Sequence, residues 1–489
     1  MILGFDVGST GVKAVLLGAG GEVLFQAEEP HELSTPRPGW AEEDPSAWWR
    51  GVLRLAAQSA AACSGARIRA IGVSAMTPAL LLLDSSGALV RPSIQQNDAR
   101  AVEQIAGCRR RYGDDELFAR SGGVWNQQVL PPKLLWIREH EPHVWRRAAR
   151  ISGACEYITH RLTGAVYAEA NWTLESGMWD APRGRWNQDL LDRLDLSALP
   201  LPPVKHPHDV AGETIDPEAE AAGLPRGVPV IAGSADHIAA ALAAGLRRPG
   251  DAVLKFGGAG DVLYVIDEFA PVRELFIDYH DIPGLYVLNG CMASSGSVAA
   301  WFRQQFRSAQ SFAELDREAE AVPPGSDGLI VLPYFLGEKT PLHDPSARGT
   351  VIGLTLSHTP AHLYRAILEG VAYAFRHHLD VIESAGHRVE RVYMTDGGAR
   401  SPLWRSITAS VLKRDVSLFE GGHAGSAYGT AVLAGVAGGM WDWSNFPVPR
   451  VSTVVAPDRA AAAVYQGLYE VYRESYRRYK DLYPRLAGS

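Results

Sequence analysis

Short apolar runs separated by glycine-rich turns open the chain. Ile2-Leu3-Gly4-Phe5 is followed by Asp6-Val7-Gly8-Ser9-Thr10-Gly11, and Lys13-Ala14-Val15-Leu16-Leu17 resumes the apolar run. Gly18, Gly20 and Gly21 mark a second turn before Val23-Leu24-Phe25. The pattern predicts a β-meander with an acid and two hydroxyls at its first bend. A helical period over Ser46 to Ala62 precedes a buried-strand run at Ile68 to Val73 and another at Ala79 to Leu83, closed by the turn Asp84-Ser85-Ser86-Gly87. Strands and helices interleave along the chain, which predicts an α/β fold.

The opening pattern returns. Val253-Leu254-Lys255-Phe256-Gly257-Gly258-Ala259-Gly260 echoes Ile2 to Ser9 from 251 residues earlier, and Val262 to Ile266 supplies its second strand. Two related domains, 1–246 and 247–489, follow from that echo, with Arg247-Arg248-Pro249-Gly250-Asp251 as linker. Two unrelated apolar-glycine hairpins are the other reading of the same pattern. A length of 489 residues suits several domains, and 46% hydrophobic with 21% charged residues excludes a disordered or collagen-like chain. The net charge of −8 opposes gripping nucleic acid or an anionic membrane through bulk charge. Cys63, Cys108, Cys155 and Cys291 lie far apart with no CxxC pair, against a zinc site or disulfide framework and in keeping with a reducing cytoplasm. Asp6 interrupts any signal-peptide core, and the Ala-rich run Ile238 to Leu246 is about half the ~20 residues of a membrane span. A soluble cytoplasmic protein is expected.

Common nucleotide and metalloprotease motifs are absent: there is no Gly-Lys pair for a P-loop, no GxGxxG and no HExxH. A nucleotide would need another phosphate-binding device. The first hairpin offers one, since amides of a Gly-rich turn form an anion-binding concavity, with Ser9 and Thr10 adding hydroxyls and Lys13 a charge. Asp6 can hold Mg²⁺ through water there; a plain β-turn is the alternative. Gly233-Ser234-Ala235-Asp236-His237 follows the apolar strand Val228 to Ala232 and precedes an Ala-rich helix. Asp236 is thus either an N-cap or a general base at a helix start, kept ionised by the helix dipole. His237 reads as a substrate contact or as a polar residue of the first turn. Gly397-Gly398-Ala399, after Val392-Tyr393-Met394, marks either a close βα corner or a flat surface for an adenine ring.

Together these segments resemble the FGGY carbohydrate kinases, which share a superfamily with hexokinase, actin and the heat-shock chaperone ATPases. The most specific stretch is Gly349-Thr350-Val351-Ile352-Gly353-Leu354, with His362-Leu363 and Ala366-Ile367-Leu368-Glu369 behind it. Lys133 to His140 is similar to most of the family's other signature, although Leu130 stands where a small or hydroxyl residue is usual. Pro38 to Pro45, Gly337-Glu338-Lys339-Thr340-Pro341 and Gly397 to Trp404 are family-like too, and the resemblance runs from Met1 to about Ala437. It implies two actin-like (ribonuclease H-like) ATPase domains flanking a deep cleft that closes on its ligands, sugar on the first and ATP mainly on the second. It implies Asp236 as the catalytic base and Asp6 as the second catalytic carboxylate, which positions Mg²⁺, with both residues near the metal. Gly8, Ser9, Thr10 and Lys13 would approach the phosphates, Gly257 and Gly258 would lie in the second phosphate loop, and Gly296, Gly397, Gly398 and Ala399 would lie near the nucleotide. The sugar would meet Met76, Thr77, Pro78, Asn97, Asp98, Arg100, Asp236 and His237.

Two departures bear on the substrate. Where xylulokinases read Gln-Met-His, this chain has Met76, Thr77 and Pro78, so a histidine that would bond a ketose is missing. Where the second phosphate loop usually carries Gly-Thr-Ser, this chain has Gly257-Gly258-Ala259 and lacks the hydroxyl. Asn97-Asp98-Ala99-Arg100 keeps the family's Asn-Asp-x-Arg element. The expected activity is ATP- and Mg²⁺-dependent phosphorylation of a small sugar or polyol, most like that of a xylulokinase. The missing contact makes xylulose a modest substrate by this reading. Ribulose, erythritol or glycerol as substrate, and an actin- or chaperone-like ATP-binding regulator, are the alternatives. A homodimer is compatible with the family, and no nucleic-acid or membrane partner is expected.

Overall fold

The computed structural model describes residues 1–62, 67–420 and 425–487; Cys63 lies outside them, and Cys108, Cys155 and Cys291 are free thiols. The chain divides into two compact units. The first comprises Met1–Gly245, Ile277–Tyr286 and Ala424–Val448, and the second Leu246–Phe276, Val287–His423 and Pro449–Ser489. The first unit's longest segment ends at Gly245, and two later segments also belong to that unit. One physical reason is the helix Gly425–Ala437, whose residues Ala427 and Gly429 to Gly435 are all buried. A helix apolar all round needs cover on every side. It lies against the strands Ile2–Val7 and Ala70–Ala75 and the helix Asp236–Ala243.

The first unit is built on a sheet ordered Val210–Glu213, Pro229–Ile231, Ala70–Ala75, Ile2–Val7, Gly11–Leu17, Val23–Pro30. Ile2–Val7 runs antiparallel to Gly11–Leu17 and parallel to Ala70–Ala75. Its apolar side chains Leu3, Phe5 and Val7 pack with Trp48, Val52 and Leu55 of the helix Pro45–Ala62. In the second unit, Asp251–Phe256 runs antiparallel to Gly260–Ile266 and parallel to Arg391–Thr395, which pairs in parallel with Val416–Phe419. The hairpin echo is therefore a repeated topology, the actin-like order of an antiparallel hairpin flanked by parallel strands.

Local expectations shift by a few residues. The third strand runs on through Gln26, Glu28 and Glu29 to Pro30, because its backbone pairs with Gly11–Leu17 while alternate side chains face solvent. The run from Ile68 forms the strand Ala70–Ala75, and that from Ala79 contributes only Leu81–Leu83.

Candidate active site

Register brings the first unit's chemistry to one edge of its sheet. Asp6 lies opposite Lys13 on one neighbouring strand and Ser74 on the other, and Ser234 pairs with Ser74 from the far side. Parallel strands end together, so Asp6, the segment after Ala75 and the residue after Ala235 all emerge at the same carboxyl-terminal edge. Such edges are where open α/β sheets bind ligands. Asp6 is 6% exposed and accepts a hydrogen bond from Ser74 Oγ at 2.8 Å. Gly8 N–H closes the turn on the Gly11 carbonyl at 3.0 Å, so that amide is engaged within the hairpin. Ser9, Thr10 and Lys13 are exposed. Met76, Thr77 and Pro78 are buried at the end of Ala70–Ala75.

Asp236 is the first residue of the helix Asp236–Ala243. The N-cap is Ala235, and no side chain caps the helix, so the N-cap alternative for Asp236 does not hold. Its carboxylate instead accepts from its neighbour: His237 N–H at 2.7 Å and His237 Nδ1 at 3.2 Å, both on Oδ1. His237 Nε2 reaches Asp278 Oδ2 at 3.1 Å. Glu175, His237 and Asp278 place ligand-capable atoms within 4.8 Å of one another. Thr77 Oγ1 donates to Glu175 Oε1 at 2.5 Å. Burial alone would lower the His237 pKa, but the Asp278 carboxylate and the bonds to Asp236 and Asp278 outweigh it and hold the ring well above its ordinary value. Burial, reinforced by Asp278, pushes Glu175 up to about 8. Glu175 and Asp278 carry no motif of their own: Asp278 sits within the strand-like run Phe-Ile-Asp-Tyr, and its distance from His237 in sequence hides the contact.

The family-like segments Pro38–Pro45, Asn97–Arg100 and Lys133–His140 converge in the same unit. Arg100 has no exposed side-chain surface; it donates to Asp98 at 2.8 and 2.7 Å and pairs with Glu42 at 2.7 Å. Its guanidinium lies 3.9 Å from the Trp40 ring centroid. Asp98 also accepts from Ala41 N–H at 2.6 Å, and Lys133 Nζ donates to the Gln95 carbonyl at 2.7 Å. Asp98 and Arg100 thus hold each other and the loop, while Asn97 is exposed.

In the second unit, Lys255 pairs with Thr395, so Gly257-Gly258 and Asp396-Gly397 leave their strands at one edge. Ser295 N–H and Ser297 N–H donate to the Gly258 carbonyl at 2.8 and 3.1 Å, and Gly296 N–H to Gly257 at 2.8 Å, which locks the loop onto the start of the helix Gly296–Phe306. A Cβ on Gly296 would stand 2.6 Å from the Gly257 carbonyl oxygen, whereas one on Gly258 would meet nothing. Gly397 and Ala399 line a cavity of about 550 Å³ with Thr395, Asp396, Arg400 and Phe419. Gly398 is buried, and a Cβ there would lie 2.6 Å from Phe256; its part is close packing. The signature residue Glu369 is structural too, accepting from Gly325 N–H, Ser326 Oγ and Tyr465 OH, each at 2.9 Å.

Residues 1–243 match the N-terminal domain of the FGGY family of carbohydrate kinases and residues 267–438 its C-terminal domain. The chain is 31% identical to a xylulose kinase of Klebsiella pneumoniae, covering 99% of this chain and 100% of that one. It is 29% identical to a xylulose kinase of Escherichia coli (strain K12), covering 100% of both. The crystal structure of xylulose kinase from Rhodospirillum rubrum superposes with a TM-score of 0.93 at 41% identity, covering 99% of each chain.

Proposed function

The chain belongs to the FGGY family of carbohydrate kinases, and from that premise we propose that it transfers the γ-phosphoryl group of ATP to a hydroxyl of a neutral pentulose, xylulose first. The observation that carries this reading is the shared strand edge that gathers Asp6, Met76 to Pro78 and Asp236. Asp236 takes the proton from the attacking hydroxyl, the sugar oxygen bonds to the γ-phosphorus, and the bond to the β-phosphate oxygen breaks to release ADP. Ser9, Thr10 and Lys13 approach the phosphates from the first hairpin, and Gly257 and Gly258 form the second loop, locked onto the helix that starts at Gly296. Gly397 and Ala399 line the cavity that would take the adenine. The carboxylate oxygens of Asp6 and Asp236 suit Mg²⁺, a hard cation that binds through oxygen and water. When bound, the ion neutralises phosphate charge.

The sugar side favours a neutral substrate. Glu175, Asp236 and Asp278 surround Thr77 and His237 with carboxyl groups. Their oxygens accept hydroxyl hydrogens; Glu175, pushed up to about 8, stays protonated near neutral pH, and the Asp236 and Asp278 carboxylates outweigh the single charge of His237, which disfavours a sugar acid. Dependence on ATP makes the cytoplasm the expected compartment. A coupled ADP-release assay over xylulose, ribulose, erythritol and glycerol tests the proposal. Xylulose is expected to stimulate turnover; ATP hydrolysis that no sugar stimulates would replace it with an ATP-binding regulator.

A further inference from the structure

We infer that Asp278 is a positioning residue for the base Asp236 and acts on it through the His237 ring. The inference rests on the kinase reading above. Asp236 stands at the first turn of its helix with a side chain 36% exposed. Both hydrogen bonds from His237 converge on its Oδ1, one from a backbone amide and one from a ring that turns about two side-chain torsions. A ring tethered at one nitrogen is a loose guide. Asp278 holds the other nitrogen at 3.1 Å and is itself 1% exposed.

The anchor behind Asp278 is rigid. The next residue, Tyr279, exchanges two bonds with the fully buried Asn171: Tyr279 N–H donates to Asn171 Oδ1 at 2.7 Å, and Asn171 Nδ2 donates to the Tyr279 carbonyl at 3.0 Å. Trp179 Nε1 donates to the Tyr279 hydroxyl at 3.0 Å. A continuous path thus runs from the core at Asn171, through Asp278 and His237, to the base. Glu175, on the helix Ala170–Glu175, and Asp281 also face the ring. Phosphoryl transfer depends on placement, and a displacement near 1 Å costs about 100-fold. A side chain that fixes the base should therefore appear in kcat rather than in the binding of ATP.

The test is a double-mutant cycle. Asp278→Ala should lower kcat by about tenfold or more while the KM for ATP stays within about twofold. Asp278→Asn, which keeps an oxygen to accept the ring N–H, should recover most of the loss. In an Asp236→Asn background, Asp278→Ala should add nothing, because the residue it serves is gone. Should Asp278→Ala fail to fold, His237→Ala, on a half-buried surface, must show the same kcat loss. An unchanged kcat in folded Asp278→Ala or His237→Ala, or an equal further loss in the Asp236→Asn background, overturns the inference. If wild type phosphorylates a sugar and Asp236→Asn does not, the kinase reading stands whichever way Asp278→Ala falls. If no sugar stimulates wild type, both fall.

Discussion

At the scale of single residues, Asp236 and the loop at Gly258 make separable demands. Asp236→Asn removes proton acceptance but keeps the shape of the side chain, so activity should fall by about 10²–10⁴-fold with the fold intact. Steady-state kinetics beside a melting curve will show whether that is so; full turnover in a folded variant would leave Asp236 without a catalytic part. Gly258 makes the opposite prediction. A Cβ there meets nothing, and its φ is outside the left-handed region, so a threonine fits without strain. Gly258→Thr restores the hydroxyl missing from this loop and should lower the KM for ATP by roughly 2- to 10-fold, the worth of one hydrogen bond. A KM that stays level or rises would mean that the loop does not meet phosphate in this protein.

At the scale of elements, the helix that carries Asp236 is set by small residues. A Cβ on Gly429 would stand 1.8 Å from the Ala239 carbonyl oxygen, and on Gly4 and Gly72 it would stand 2.1 and 2.3 Å from carbonyls of Ala427 and Thr430. The obstacles are backbone, which cannot rotate away. Gly429→Ala should therefore push Asp236–Ala243 off its seat, cost about 1–3 kcal/mol of stability and lower kcat together with it. Denaturant unfolding with m held constant is the measure, and a loss of less than about 0.5 kcal/mol would show that the helix pair repacks freely.

At the scale of the whole molecule, buried carboxyl groups shape the pH dependence of folding. Glu156 is 3% exposed and accepts from Glu169 N–H at 2.9 Å; burial pushes its pKa from 4.5 up to about 7. The folded chain thus keeps a proton that the unfolded chain releases. The stability this contributes is complete below pH 4.5 and is lost as the pH rises through about 7. Glu156→Gln keeps the acceptor and cannot ionise. Its advantage over wild type should grow between pH 4.5 and 7, to on the order of 1–3 kcal/mol, and then level off. Melting temperatures of both proteins across that range check the sign; a constant difference would place the Glu156 titration elsewhere.

What the sequence by itself determined is local. Apolar runs and glycines at 2–17 and 253–266 specify two strand-turn-strand units, because period and turn sterics act over a few residues. The same local logic puts Asp236 at a helix start. It does not tell an N-cap from a first helical residue, since the two differ by one position and only the backbone angles decide. Tertiary structure alone decided that Asp6, Ser74 and Ser234 share one row, that Gly425–Ala437 joins the first unit, and that Arg100 is sealed between Trp40 and Asp98. It also delivered Glu175 and Asp278 to the His237 ring. Those placements come from strand register and from burying apolar faces far apart in the chain. Hydrophobic period carries the orientation of a face but not the identity of the distant surface that will cover it.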